Sequence, residues 1–389
     1  MAEIAIIGGG PAGLTAAIAL ARRGVHTTVF ERDAHPEQMP RFNPDRSYPI
    51  DMTGHGLRAV RYIDALAHFD ARLIPFRGIT FGKRLIDRWS EPGWIGSRGD
   101  IMRALMSVVD ERHGDLIDFV YNTDVRTLDV HAGEVAGRRF DLVVGADGAN
   151  SAVRTAMREQ VDGFTVQTST VPNYGLLMEL DQVGDQLDKH YLNGFAASPL
   201  VLAGAIVDES RPDGVRWVCV IGVGKPLTFN SPAQAGQWLR WHCARTLDMA
   251  SEQAIADFSR REWVHLGQRL TCSRLSGGRA VLLGEAAAAF PPVGQGANAA
   301  LESAVVLDQS LAAGPVETAG DRYEAAWKPE ADAISWIGGQ IRYESRWTGV
   351  RAVISHAFGV NVFGQAKSST MSYAQVRHAA RRLGPLWAT

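Results

Sequence analysis

The sequence is poor in cysteine and shows no excess of either charge. Its three cysteines, Cys219, Cys243 and Cys272, are far apart and odd in number. That argues against a disulfide framework and suits reduced thiols in a cytosol. Forty Lys and Arg against 42 Asp and Glu leave a formal net charge of −2, and without a basic run there is no electrostatic footprint for nucleic acid. No uninterrupted apolar run approaches the roughly 18 residues that a spanning helix needs. The opening MAEIAIIGGG has neither the charged stretch nor the cleavage site of a signal peptide. Internal repeats, low-complexity linkers, HExxH and zinc-like Cys/His spacings are missing too, so no metal is expected. With 46% hydrophobic and 21% charged residues, these absences read as a globular cytoplasmic protein with no nucleic-acid or membrane partner. The 389 residues suffice for two or three domains.

What is present begins at once. Ile4–Ile7 is an apolar run of the kind a buried parallel strand shows. A glycine cluster follows, then the Ala/Leu/Ile-rich stretch Ala12–Ala21, with Arg22, Arg23 and Gly24 suiting a helix end. Thr28–Phe30 reads as a second strand, completing a strand–helix–strand opening. Between strand and helix, Gly8-Gly9-Gly10-Pro11-Ala12-Gly13 satisfies G-x-G-x-x-G. Gly8 permits the tight turn, Gly10 lets the backbone approach a pyrophosphate, and Gly13 lets helix and strand pack closely. The free amides of the helix start face the phosphate charge. Glu31 stands eighteen residues past Gly13, where a carboxylate accepts from ribose hydroxyls and disfavours a 2′-phosphate. The site is therefore expected to hold FAD or NAD rather than NADP, and this motif does not choose between the two.

Further along, Phe140–Val144 and Ala280–Leu283 read as buried strands running into glycine. Residues 166–265 contain β-rich stretches such as Leu200–Val207 and Val215–Val223, and from residue 298 the spacing turns helical. Trp327, Trp336 and Trp347 fall at helical or near-helical spacing, as core or interface residues do. Val350–Phe363 reads as an amphipathic or packing helix.

Two more motifs follow strands. Gly145-Ala146-Asp147-Gly148-Ala149-Asn150-Ser151-Ala152-Val153-Arg154 contains DGxxSxVR. Gly284-Glu285-Ala286-Ala287 runs on to Phe290-Pro291-Pro292-Val293-Gly294-Gln295-Gly296-Ala297-Asn298. In their order and spacing from the fingerprint, these resemble the FAD-dependent aromatic hydroxylases, the single-component flavoprotein monooxygenases related to para-hydroxybenzoate hydroxylase. Ser97-Arg98-Gly99-Asp100-Ile101 with Leu105 fits that family's arginine before a short helix. The resemblance spans nearly the whole chain.

It implies FAD as cofactor and NADH or NADPH as a transient reductant, which agrees with the lack of a second G-x-G-x-x-G. It implies O2 and a small aromatic molecule as substrates, with one oxygen atom inserted through a flavin hydroperoxide. Cofactor contacts then fall on Gly8, Gly10, Pro11, Ala12, Gly13, Glu31, Arg32, Arg98 and Val125. Asp147, Glu285, Gly294, Gly296, Ala297 and Asn298 complete the set. Gly294, Gly296 and Ala297 leave room for a flat ring, and a helix dipole at its edge, worth about 0.3–1 kcal/mol, favours the anionic reduced flavin. Two positions depart from the family. Its Asp is Glu285 here, with about 1.5 Å more reach, and its His is Ala288.

The implied fold is α/β: a Rossmann-type FAD-binding domain with a β-sheet substrate domain and a helical C-terminus. Residues 1–75, 97–165 and 266–310 are expected to form the discontinuous FAD domain. Residues 76–96 and 166–265 would form the substrate domain, and 311–389 the helical region. Within the family the chain is most similar to the kynurenine 3-monooxygenases, through Arg46-Ser47, Ile74–Arg77, Pro329–Arg346 and Thr370–Tyr373. In that register the family's substrate arginine falls at Ile79, its asparagine at Ile341, and its tyrosines at Phe363 and near Gly93 and Trp94. Pro291 and Pro292 join Ile79, Ile341 and Phe363 as candidate substrate contacts. A charged amino-acid head would lose its partners in such a pocket at a cost of several kcal/mol, so an apolar aromatic or polycyclic substrate of secondary metabolism is expected. Kynurenine hydroxylation proper, a flavin reductase or oxidase, and a catalytically silent flavin-binding scaffold stand as alternatives. No catalytic side chain is expected. His190, His242 and His265 read as ordinary histidines, Arg77, Arg84 and Arg88 as solvated charges, and the oligomer as monomer or homodimer.

Overall fold

Ile4–Ile7 is buried throughout and forms an interior strand of a six-stranded sheet in the computed structural model. The described residues are 2–345, 347, 351, 354, 358–367, 370–384 and 387. On one side this strand pairs in parallel with Leu142–Gly145, and beyond it lies Ala280–Leu282, also parallel. On the other side it pairs with Thr27–Phe30, then Ile117–Val120. Only the edge strand Ser276–Gly277 runs antiparallel. All three glycine motifs leave the carboxyl ends of adjacent parallel strands, the edge at which open α/β sheets bind ligands.

Helix Pro11–Ala21 starts with proline at its first position, where the missing N–H costs nothing. Its alanines pack flat between the sheet and the long helix Gly296–Ala312. The expected strand from Phe140 begins two residues later at Leu142, because the Phe140 N–H bonds Gly133 O and its ring turns edge-on to Phe30.

A second, seven-stranded sheet runs in the order Val264–His265, Tyr174–Leu180, Val215–Val223, Leu200–Val207, Tyr191–Ala197, Gly78–Phe81, Arg84–Arg88. Its pairs are antiparallel except Tyr191–Ala197 with Gly78–Phe81. Ala235, Leu239 and Cys243 of helix Pro232–Cys243, with Phe258 of helix Glu252–Arg260, close a separate hydrophobic core against it.

Two of the three-stranded sheets tie distant segments together. Trp94–Gly96 pairs with Ile50–Met52 and Ile74–Pro75. Val166–Thr170 pairs with Gln268–Cys272, which pairs in turn with Ala288–Ala289. Strand pairing thus ties 94–96 and 166–170 to segments other than the seven-stranded sheet. Helix Ala319–Gly338 buries Trp327 and Trp336, whereas Trp347 is exposed. The stretch Val350–Phe363 lies partly outside the described residues; within them, Val362 opens the short helix Val362–Gln365. Among the described residues no helix is long and apolar enough to cross a membrane, and no cluster of His, Cys, Asp or Glu is placed to hold a metal.

Candidate FAD and substrate site

The first turn is built without room for side chains. Gly8 has φ +104°, and a Cβ there would lie 2.5 Å from Ala146 O; at Gly13 it would lie 1.9 Å from Gly8 O. Gly10 precedes the helix, and the Arg98 guanidinium stands 2.8 Å from where its Cβ would be. Arg98 opens helix Arg98–Arg112 behind a Ser97/Asp100 capping box, which fixes the direction in which it leaves the helix. Glu31 accepts from Gly9 N–H at 2.5 Å and Asp33 N–H at 2.9 Å. A carboxylate has about four acceptor sites, so it retains capacity for hydroxyls. Half-buried Val125 follows a segment tied to Glu31 O through Thr123 N–H. Arg32 is solvated beside Asp33, Pro11 is half-buried and Ala12 buried.

The second motif is joined to the third. Arg154 donates to Ala286 O at 3.0 Å and also to Ala149 O. Asp147 Oδ2 accepts from the N–H groups of Ala152 and Val153, at 2.6 and 3.3 Å. Its Oδ1 is buried without a partner among the described residues. Burial raises the Asp147 carboxyl above the usual range, against the pull of Ser151 and the nearby amides. A buried, orphaned carboxylate oxygen costs about 1–3 kcal/mol unless a donor reaches it.

Glu285 opens the short helix Gly284–Ala287, with Oε1 4.0 Å from where a Cβ at Gly296 would stand. Its carboxyl is raised by burial and lowered in part by Arg98. Tyr48 is raised by its surroundings first and by Glu285 second, yet its side chain is 40% exposed.

Gly294, with φ +73°, packs beside Asp51 and Lys367, which form a buried ion pair. Buried Gln295 precedes helix Gly296–Ala312 and accepts from Tyr373 OH at 3.1 Å. The Asn298 side chain is used within the fold: it donates to Asp51 O and Gly294 O and accepts from Thr53 N–H. Only its backbone N–H remains for a ligand. With those of Gly296 and Ala297 it belongs to the first turn, which has no intrahelical acceptor.

The candidate substrate residues fall into different settings. Ile79 lies in strand Gly78–Phe81 and packs on the second core. Phe363 packs on the first core, edge-on to Trp387. Ile341 O accepts from Asn173 Nδ2 at 2.9 Å, just before strand Tyr174–Leu180. Pro291 is buried against Gly338 and Pro292 is exposed. Trp94 is buried and its indole N–H is spent on Asp70 at 2.8 Å. The histidines are engaged locally: His190 with Pro75 O, His265 with Val171 O, and His242 against the Trp238 ring. Tyr48, Lys367, Asp51 and Tyr121 were missed in sequence. Among the described residues the Tyr121 hydroxyl is buried without a partner, and it is pushed up to about 12 by burial, Asp110 and Glu31. Of these, only Tyr48 had a signal, its place directly after Arg46-Ser47.

Fold and site together define a flavin-dependent oxidoreductase of the α/β dinucleotide-binding class. Residues 121–337, more than half the chain, match the family described as FAD binding domain, and residues 6–73 match an NAD(P)-binding Rossmann-like domain. The chain belongs to this FAD-binding family, as a flavoprotein aromatic monooxygenase that uses FAD with a nicotinamide nucleotide as reductant. It is 26% identical over 360 residues to kynurenine 3-monooxygenase of Salinispora arenicola (strain CNS-205), covering 86% of this chain and 78% of the relative. It is 29% identical to the 3-amino-4-hydroxybenzoate 2-monooxygenase PtmB3 of Streptomyces platensis, covering 85% of each. The tetrameric form of 2-methyl-3-hydroxypyridine-5-carboxylic acid oxygenase shares the fold, with TM-score 0.68 at 19% identity over 98% of this chain and 96% of that one.

Proposed function

We propose that this monooxygenase inserts one oxygen atom from O2 into an apolar aromatic or polycyclic molecule of secondary metabolism, and that L-kynurenine is not its substrate. The observation that carries this reading is at Trp94. It stands near the position where the resemblance calls for a tyrosine donor, beside Gly93, and its N–H is committed to Asp70. Ile79 and Phe363, at two further anchor positions, are packed in hydrophobic clusters. An amino-acid carboxylate there would be desolvated without the bidentate arginine contact that compensates it.

The residues present fit FAD: the glycine cradle excludes side chains, and Asp147 Oδ1 awaits a donor. Gly8, Gly10, Pro11, Ala12 and Gly13 would hold the pyrophosphate beside Arg98. Glu31, with Arg32 and Val125 beside it, would hold the adenosine. Asp147 and Glu285 would take hydroxyl or N–H groups, and the amides at Gly296, Ala297 and Asn298 would face the ring beyond Gly294. When bound, FAD supplies the redox and oxygen chemistry that no side chain here carries. The protein orients the aromatic ring near Pro291, Pro292 and Ile341 and keeps water out. We also keep the division into a discontinuous FAD domain, a substrate domain near 76–96 and 166–265, and a helical region from 311 as a proposal.

The test is nicotinamide oxidation by the FAD-loaded protein with L-kynurenine and with a panel of apolar aromatics, reading product mass. Oxygen gain on an apolar ring with silence on kynurenine supports the reading. Efficient hydroxylation of kynurenine overturns it, and oxidation without any oxygen gain marks a reductase or oxidase instead.

A further inference from the structure

The Gly294 carbonyl, next to the proposed ring position, is held by two side-chain amides. Gln295 Nε2 donates to Gly294 O at 2.8 Å and Asn298 Nδ2 at 3.0 Å, which fills both lone pairs. A trans peptide is planar, so the Gln295 N–H points opposite to that carbonyl. Holding Gly294 O therefore sets the aim of the Gln295 amide, and with it the entry to helix Gly296–Ala312. Among the described residues the N–H groups of Gln295, Gly296, Ala297 and Asn298 have no partner. The first amide engaged is that of Ala299, on Gln295 O at 2.9 Å.

The other end of the Gln295 amide is held from the C-terminal region. Tyr373 OH donates to Gln295 Oε1 at 3.1 Å, and both residues are buried. Burial, and then the charge of Glu302, raise the Tyr373 hydroxyl well above its usual range, so it stays a donor. Its ring lies nearly flat on His55, with centroids 3.8 Å and planes 14° apart. His55 is itself fixed: Nδ1 donates to Glu302, which also accepts from Arg58 Nη2 at 2.6 Å. Against burial, these two partners lower the Glu302 carboxyl and leave it an acceptor. His55 lies on helix Gly54–Tyr62, Glu302 on Gly296–Ala312, and Tyr373 opens helix Tyr373–Arg381. That last helix starts at a Ser372/Gln375 capping box, and its Ala374 N–H donates to Glu330 of helix Ala319–Gly338 at 3.0 Å. Packing alone does not call for the hydroxyl. A phenylalanine would fill the same space on His55 and would leave the Gln295 oxygen buried without a donor.

We propose that Tyr373, seated on His55, is a positioning residue for the flavin ring, and that through Gln295 it sets the direction of the amides of residues 295–298. This rests on the proposed placement of the ring beyond Gly294 and is independent of which molecule is oxygenated. It gives the C-terminal helix a share in the electrostatic surroundings of the cofactor.

The test compares FAD-loaded Tyr373→Phe, Ser372→Ala and Gln295→Met with the native protein, without substrate. The flavin midpoint potential, its visible circular dichroism, the FAD dissociation constant and Tm are read on each. In Tyr373→Phe the dissociation constant is expected to rise about tenfold, ~1.4 kcal/mol. The dichroism should change and the midpoint potential fall, because misdirected N–H dipoles favour negative charge on the ring less. Ser372→Ala removes the cap of the same helix and leaves the hydroxyl in place. It should lower Tm with dichroism, potential and FAD affinity unchanged. Native dichroism and potential in fully loaded Tyr373→Phe overturn the proposal, whatever its Tm. Ser372→Ala moving both signals as far as Tyr373→Phe overturns it too, since helix stability alone would then explain them. Gln295→Met separates the two levels. A response there with none in Tyr373→Phe sinks the positioning role and keeps the ring placement, whereas silence in both removes the placement as well.

Discussion

The two large sheets are built in different ways. At the strand ends of the six-stranded parallel sheet the proposed binding groups are main-chain amides and a few carboxylates, within a few residues of glycines that leave no room for a Cβ. In the seven-stranded mixed sheet, Gly204 and Gly222 are instead crowded by side chains from distant segments, Pro49, Ile95 and Tyr343 among them. Main-chain sites tolerate no added atom. Side-chain sites tolerate many substitutions and change specificity with each one.

Substituting a glycine in each half tests this contrast most directly. Gly13→Ala forces a Cβ to 1.9 Å from Gly8 O. Overpacking of this kind costs about 1–3 kcal/mol or more, and flavin absorbance per chain should collapse. Gly204→Ala in the mixed sheet meets the side chains of Pro49, Leu192 and Ile95 at 2.8–3.0 Å. It should lower Tm while leaving flavin content intact; equal loss of flavin in both variants would erase the distinction.

Comparable or larger in stability is the ion pair that joins strand Ile50–Met52 to the C-terminal region beside Gly294. Lys367→Met leaves Asp51, 3% exposed, buried without its partner, at a cost of about 3–5 kcal/mol. Chemical denaturation should show most of that stability recovered in the double variant with Asp51→Asn. If the double variant is as weak as the single one, the pair acts through packing rather than charge.

Asp147 sets binding against stability. Its raised carboxyl means that the apo native state keeps a proton that the unfolded chain has released. Its ionisation therefore costs stability as pH rises through the native pKa, and that cost vanishes below about pH 4, where both states are protonated. Asp147→Asn should raise the Tm of the apo protein near neutral pH, with no gain in acid. FAD affinity should fall by roughly tenfold or more, as expected for one charge-assisted hydrogen bond of about 1.5–3 kcal/mol. Calorimetry across pH with a flavin titration reads both. The smallest effect is expected at His190, whose ring is held by Pro75 O. His190→Gln should leave turnover within about twofold, as surface changes of about 0.5 kcal/mol do.

Much of the fold was legible because its signals are local. Leu200–Val207 and Val215–Val223 form strands with those same limits, since β-branched runs ended by turn residues need no distant information. The fingerprint, Asp147 and Glu285 were legible because each follows its strand at once. Asn298 shows the limit of such reading. Its motif position was plain, but no local pattern announced that its side-chain amide holds Asp51 and Thr53, 247 and 245 residues away. Lys367 reaches Asp51 across 316 residues, with no pattern around either residue to announce the contact. The division at residue 96 was blurred for a related reason, as Trp94–Gly96 finds its partners at Ile50–Met52 and Ile74–Pro75.

By itself, the sequence determined the nucleotide half: which turns exclude a Cβ, which strand ends carry an acid, and hence the flavin class of the chain. Those features are main-chain conformations set by neighbouring residues. Only the tertiary structure decided what surrounds the proposed substrate side. The Trp94 N–H is spent on Asp70. Side-chain partners chosen by packing between distant segments leave no periodicity or spacing in the chain, and become visible only when the segments are brought together.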